Sequence, residues 1–205
     1  GSKRWTTLGP DGSLFFVAAR DEAASGERVS IKVVRVPSGS KGIEIEEMPP
    51  TKFVPEVPHA RLRFENVSVK GEDLLPGDGY DSYVKPFRTV EDLHVNAAIL
   101  AYLVREARRL GWRQDWIERA VTALFALERL SGEDPSAPAT HIALAGTLAI
   151  TSTLFQESES FWNDAGADPA AQRWRRDREL LKVAGSAREA RTARAWERLG
   201  VGVPT

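Results

Sequence analysis

The sequence contains no cysteine, only three histidines and no long hydrophobic run. The lack of cysteine excludes disulfides, thiol nucleophiles and thiolate-bound metals. His59, His94 and His141 stand apart from one another in the chain, so we predict no metal site. The most apolar stretch, HIALAGTLAITSTLF, is short and rich in threonine, serine and glycine. It therefore predicts no insertion into a membrane.

An excess of charge of either sign is also missing, because 28 lysines and arginines stand against 29 aspartates and glutamates. Proteins that bind nucleic acid or an anionic membrane surface usually carry a basic excess, so we expect neither partner. The first residues, GSKRW, are followed by no apolar run and predict no signal peptide. The composition is that of a globular protein, for which we expect a cytoplasmic location.

The first 85 residues are rich in glycine, proline and β-branched residues, with short apolar runs between them. These runs predict strands over 13–20, 29–36, 42–48, 60–64 and 67–69. In ARLRF, which begins at Ala60, apolar residues alternate with arginines, as in a strand with one buried face. The spacing of the strands predicts an antiparallel β-sandwich or barrel over residues 1–85.

After Pro86 the apolar residues follow a helical period. Their spacing predicts helices over 90–112, 113–132, about 139–160, 170–183 and 187–199. Small residues in the third helix, such as Ala145 and Gly146, allow a neighbouring helix to approach closely. Short connections predict an up-down bundle of the four-helix type over residues 86–205. We therefore expect an α+β chain with two domains.

The stretch VAGSAR separates the last two predicted helices. Gly185 and Ser186 are typical of a plain joint, in which Ser186 caps the helix that follows. The same two residues also suit a ligand at the positive end of that helix. The pattern alone leaves both interpretations open.

Three passages of the chain, in order, resemble those of one known family. They are KRWTTLGPDGSLFFVAAR, HARLRFENVSVKGEDLLPGDG and RWRRDRELLKVAGSAREARTARAWERLG. Together they resemble the acyl-CoA dehydrogenase superfamily, with residues 1–85 as its middle β-domain and residues 86–205 as its C-terminal bundle. The family's N-terminal helical domain would precede Gly1, so we expect a fragment of a longer protein.

This resemblance implies an FAD-dependent oxidoreductase that removes hydrogen from the α and β carbons of an acyl-CoA thioester. A base takes the α proton while hydride leaves the β carbon for flavin N5. Trp5 and Thr7 would lie against the isoalloxazine ring, and Gly185 with Ser186 would contact it in place of the family's Gly-Thr. A tryptophan packed at a sheet edge is the alternative interpretation of Trp5.

The family's usual catalytic glutamate is missing, because Ala184 stands at its position. Relatives with alanine or glycine there take the carboxylate from the first helix of the bundle. The resemblance places that base at Asp92, with Glu91 beside it as the second candidate. The alternative is that both acids only stabilise the positive end of their helix.

Two family passages that hold FAD are altered in this chain. The segment RRLGWRQDW lacks the Phe-Gly of the family's Arg-x-x-Phe-Gly motif. The segment SFWNDAGADPAAQRW keeps one glycine of a glycine-rich loop, and Asp164 and Asp168 in it would repel a diphosphate. The FAD site is therefore expected to be weakened or rebuilt. The nearby arginines 173, 175, 176 and 178 suit either a substitute anion site or a solvated helix face.

Two further functions remain open at this point. A degenerate, non-catalytic relative would use the bundle for assembly as a homo-oligomer, with exposed Trp112, Trp116 and Trp174 at the interface. A binding module would instead hold acyl-CoA or another anionic ligand without redox chemistry.

Overall fold

The computed structural model describes residues 1–23, 29–182 and 185–200, and its side-chain description ends at Leu181 and resumes at Ala187. The chain divides into two compact units, Gly1–Lys85 and Pro86–Thr205. The first contains antiparallel sheets and the second is helical. The predicted α+β class is confirmed.

The first unit has five described strands. They are β1 (Ser2–Thr7), β2 (Leu14–Arg20), β3 (Ile31–Pro37), β4 (Ile43–Glu47) and β5 (His59–Phe64). One antiparallel sheet has the order β1-β5-β4, and the other pairs β2 with β3. Four of the predicted strands are therefore confirmed to within two residues at each end. The strand predicted over 67–69 is wrong, because Asn66 has a φ of +50° and turns the chain out of its extended path.

The alternation in β5 is confirmed. Ala60 and Leu62 are buried and pack with Phe15 in the core of this unit. The two arginines that alternate with them face the other way and pair with glutamates of β4, Arg61 with Glu46 at 2.9 Å and Arg63 with Glu44 at 3.2 Å. One side of the strand thus supplies the core, and the other supplies exposed ion pairs.

The second unit has five described α-helices. They are α1 (Lys85–Leu110), α2 (Gln114–Ser131), α3 (Pro138–Asp164), α4 (Pro169–Asp177) and α5 (Gly185–Arg198). Gly111, with a φ of +69°, follows the last residue of α1, and a glycine in this left-handed conformation is a common end of a helix. The helix predicted over 170–183 ends early, because the chain tightens into a 3₁₀ turn over Arg178–Lys182.

The core of the helical unit is built on tryptophans. The ring centroid of Trp112 lies 5.0 Å from that of Trp116 and 4.9 Å from that of Trp162, and Trp162 stacks on Trp174 at 5.9 Å. The prediction that Trp112, Trp116 and Trp174 are exposed at an interface is wrong, because each is at most 8% exposed. An indole buries about 150–250 Å², so these side chains stabilise the inside of the bundle.

The apolar stretch in α3 lies in a longer helix than its composition suggested. This helix has 27 residues and, among the described helices, is the one long and apolar enough to count as a candidate membrane span. It packs against α2 and α5, and its buried threonines donate to carbonyls of their own helix, Thr147 to Ala143 and Thr151 to Thr147. This arrangement is that of a core helix in a bundle.

Candidate functional site

Asp92, the predicted base, lies on α1 and is 7% exposed. Its Oδ1 accepts hydrogen bonds from Arg188, whose Nε and Nη2 atoms each lie 2.8 Å away. Its Oδ2 accepts from Nη2 of Arg191, also at 2.8 Å. Both arginines belong to α5, so the carboxylate ties the first helix of the bundle to the last.

This pairing determines what Asp92 can do chemically. Both oxygens already accept from cations, and Asn96 donates a further hydrogen bond to the Asp92 backbone carbonyl at 2.8 Å. Removing one partner of such a buried ion pair typically costs about 3–5 kcal/mol, because the remaining charge is left uncompensated. The arrangement is that of a structural ion pair. The sequence alone assigns no role to Arg188 or Arg191, although their spacing of three places them on one face of a helix.

Glu91, the second candidate, lies beside Asp92 on α1 and is exposed. Successive helical residues point in different directions, so Glu91 does not share the arginine pairing of Asp92. It remains a carboxylate at the surface of the helical unit.

A cavity of about 460 Å³ lies between α1, α3, residues 178–181 and α5. Its apolar wall includes Ile99, Leu148, Phe155 and Leu181, and Arg188 lines it from α5. Further polar side chains at its edge are Ser152, Gln156, Glu159 and Arg178, the last two joined in an ion pair. The size and the mixture of apolar wall and few polar groups are typical of a small-molecule site. No pattern in the sequence indicated this cavity, because its lining comes from four separate segments.

Trp5, predicted to meet a flavin ring, lies on β1 of the first unit and is 51% exposed. The pairing of β1 with β5 is irregular between Lys3 and Thr6, and Trp5 itself has a φ of +63°. Such bulges redirect a side chain, and a non-glycine residue with positive φ costs of order 1–3 kcal/mol. The indole meets the His59 ring edge to face at 5.9 Å, and the Arg4 guanidinium lies 5.5 Å from its centroid.

The other predicted ring contacts are distributed over both units. Thr7 is exposed at the end of β1. Gly185 and Ser186 are the first two residues of α5, so Ser186 lies inside the first turn of that helix. Ala184 lies outside the described residues.

The segment predicted to approach a diphosphate, residues 164–169, holds a carboxylate of its own. Asp168 precedes α4 and accepts a hydrogen bond from the backbone N–H of Ala170 at 2.8 Å. Arg109 binds the same carboxylate through both terminal nitrogens, at 2.9 and 2.8 Å. The hydrogen bonds from Arg109, together with the Ala170 N–H, lower the pKa of Asp168 to about 2.

The arginines that follow this segment are engaged within the helical unit. Arg175 donates to the carbonyls of Gly166 and Trp162, at 2.9 and 2.8 Å. Arg176 pairs with Asp177, and Arg178 pairs with Glu159. These three side chains therefore do not form the open substitute anion site that the sequence suggested as one alternative.

These observations test whether the residues fit FAD. The indole of Trp5 is exposed, as stacking on an aromatic ring requires, and Thr7 is exposed two residues further on. Residues 164–169 do not fit a diphosphate, because the Asp168 carboxylate already occupies the N-terminus of α4. Across the described ranges, no group of three histidine or acidic side chains is placed to hold a metal ion.

No protein-family model and no curated protein matches this sequence. Solved structures with a similar fold include butyryl-CoA dehydrogenase from Megasphaera elsdenii, at 12% identity and a TM-score of 0.72, covering 96% of this chain and 59% of that one. Dibenzothiophene monooxygenase from Paenibacillus sp. A11-2 is similar at 14% identity and a TM-score of 0.75, with 99% and 65% covered. Glutaryl-CoA dehydrogenase is similar at 15% identity and a TM-score of 0.64, with 98% and 58% covered.

This chain spans about three-fifths of the length of these solved structures. Their names include two kinds of reaction, dehydrogenation and monooxygenation, so the shared fold does not select an activity. The likeness does confirm the architecture that the sequence motifs predicted: the chain has the fold of the acyl-CoA dehydrogenase superfamily.

Proposed function

We propose that this chain binds a flavin-type aromatic ring and does not remove the α proton of an acyl-CoA thioester. It would then be a ligand-binding, non-dehydrogenating relative of the acyl-CoA dehydrogenases. The observation that carries this proposal is the pairing of both Asp92 oxygens with Arg188 and Arg191.

A general base must lie within hydrogen-bond reach of the proton that it removes, with a lone pair directed at it. The Asp92 carboxylate is buried, and its oxygens face two guanidinium groups. Turning it toward a substrate would break both ion pairs. The role best supported for Asp92 is therefore to position α5.

Ring binding is supported by the way Trp5 is displayed. Its indole is exposed and its backbone is strained, a combination that is found at binding sites. Trp5 and Thr7 are the residues that would hold the ring. A flavin, when bound, supplies a hydride acceptor at N5.

A second candidate is the FAD-dependent acyl-CoA dehydrogenase activity that the sequence resemblance implied. The exposed carboxylate of Glu91 is the observation that favours it, because this group is open to solvent in the described chain. In that case Glu91, with Asp92 as the alternative, would take the α proton of the thioester.

Anaerobic flavin spectroscopy separates the two candidates. The full chain is loaded with FAD or riboflavin and mixed with acyl-CoA thioesters of short to long chain. We expect the flavin absorbance to shift on binding to the protein and to persist after the thioester is added. Bleaching that Glu91→Gln or Asp92→Asn abolishes, and that Glu133→Gln leaves intact, would establish the dehydrogenase instead. Glu133 is an exposed glutamate beyond the end of α2 and serves as the matched control.

A further inference from the structure

Asp168 lies where a bound phosphate group would be expected at a helix end. A helix N-terminus and a bidentate arginine both bind phosphate oxygens well. Here the N-terminus of α4 and the terminal nitrogens of Arg109 converge on one carboxylate, with all three donor–acceptor distances between 2.8 and 2.9 Å. The position is therefore built for an anion, and the chain itself supplies that anion.

Arg109 is fixed from its other side by Glu106. Nε of Arg109 donates to Glu106 at 2.7 Å, so that all three of its side-chain nitrogens are used. Glu106 is 4% exposed and also accepts from Arg105. Burial raises the pKa of Glu106, but the hydrogen bonds from Arg109 and Arg105 outweigh it, and the pKa lies below its usual range. The two arginines of this network balance the two carboxylates in charge, and every side-chain nitrogen of Arg109 donates a hydrogen bond.

We propose that Asp168 is a built-in substitute for a phosphate group, which closes the anion position between Arg109 and the N-terminus of α4. The donors at this position are consequently engaged by Asp168 and do not bind the diphosphate of a dinucleotide. One consequence rests on the proposed function: a flavin is held by its ring, and FAD, FMN and riboflavin bind with similar affinity.

The first experiment uses inorganic pyrophosphate and isothermal titration calorimetry on the full chain. Asp168→Asn removes the negative charge but keeps an oxygen that can cap α4. We expect it to bind pyrophosphate at least tenfold more tightly than the unmodified chain, and Arg109→Gln in the same background to abolish the gain. Asp164→Asn is the matched control, because it removes the same charge from an exposed residue at the end of α3.

The proposal is overturned if the unmodified chain binds pyrophosphate as tightly as the Asp168→Asn variant does. It is also overturned if the Asp164→Asn control gains as much affinity as the Asp168→Asn variant. Should Asp168→Asn fail to fold by circular dichroism, Asp168→Ser keeps a capping hydroxyl without charge and takes its place.

The second experiment compares the dissociation constants of FAD, FMN and riboflavin by flavin fluorescence. We expect the three values to agree within threefold. If FAD binds more than tenfold tighter and Arg109→Gln removes that advantage, the inference fails while ring binding stands. If no flavin binds, the proposed function fails, and the pyrophosphate titration still decides the role of Asp168.

Discussion

The two guanidinium groups around Asp92 illustrate how neighbours decide the role of a carboxylate. The same residue in an open pocket would be a candidate base. Here it binds Arg188 and Arg191, which lie 96 and 99 positions further along the chain. A buried ion pair of this kind has its largest effect on stability when one partner is removed, because the other charge is left uncompensated. A structural role for Asp92 therefore predicts that its substitution lowers the free energy of unfolding, whereas a catalytic role predicts only a loss of activity.

Asp92→Asn is expected to lower the free energy of unfolding by about 3 kcal/mol, because two arginines lose their counter-charge in a mostly buried setting. Urea denaturation followed by circular dichroism measures it. The adjacent Glu91→Gln serves as control and should stay within about 0.5 kcal/mol, as exposed substitutions do. Equal effects of the two substitutions would contradict the structural role of Asp92.

Trp5 allows stability and binding to be separated at one residue. Trp5→Gly should leave the free energy of unfolding unchanged or raise it by about 1 kcal/mol, because glycine accepts the φ of +63° without strain. The same substitution should reduce riboflavin affinity at least tenfold, and Trp5→Phe should restore most of it. Flavin fluorescence titration gives the affinity. Unchanged binding by the glycine variant would show that the ring lies elsewhere.

At the scale of elements, α4 is held through its first turn by a charge network. The lowered pKa of Asp168, about 2, lies below the value near 4 of an unfolded aspartate. The unfolded chain therefore binds more protons between about pH 4 and pH 2, and the stabilisation that Asp168 contributes is present above that window and lost within it.

Acid denaturation followed by tryptophan fluorescence tests this linkage. The unmodified chain should lose stability as the pH falls from about 4 to about 2, and Asp168→Asn should flatten the pH dependence in that window. Asp164→Asn should leave the curve of the unmodified chain unchanged. A curve for Asp168→Asn as steep as that of the unmodified chain would mean that the network does not stabilise α4.

The tryptophan core gives a second prediction for the packing of helices. Among the described residues, the indole N–H groups of Trp112 and Trp162 are buried without a hydrogen-bond partner. Trp162→Phe should therefore lower the free energy of unfolding much less than Trp162→Ala does. For the alanine variant a loss of about 3–5 kcal/mol is expected, from the lost contacts and the cavity. Thermal unfolding of both variants measures the difference. Similar losses would show that the indole N–H has a partner.

At the scale of the whole molecule, periodicity was sufficient to predict most strands and the helical half. It failed for β1. The segment SKRWTT forms this strand by pairing with β5, and it has no alternation of apolar residues that would predict a strand. It also failed for the tryptophans, because a large aromatic side chain in or beside a helix is equally typical of an interface and of a core. Assembly as a homo-oligomer remains a proposal, without these side chains as its surface.

The candidate site was predicted in parts. Asp92, Glu91, Trp5 and Thr7 were selected by resemblance, but the partners that decide their chemistry are distant in sequence. Arg188 reaches Asp92 across 96 positions, and Arg109 reaches Asp168 across 59. Spacing within one element cannot reveal such contacts, so the partners of these side chains can be identified only in the folded chain.

The most direct measurement is the exchange of thioester α protons in D₂O, followed by NMR, with the flavin-loaded full chain. Exchange requires only the base, so it isolates the step for which Asp92 was first selected. We predict no exchange above the rate in buffer. Exchange catalysed by the chain would contradict the proposed function and establish a working base. If Asp92→Asn stays folded and abolishes that exchange, the base is Asp92 and its role is not structural alone, whereas loss only in Glu91→Gln assigns the base to Glu91.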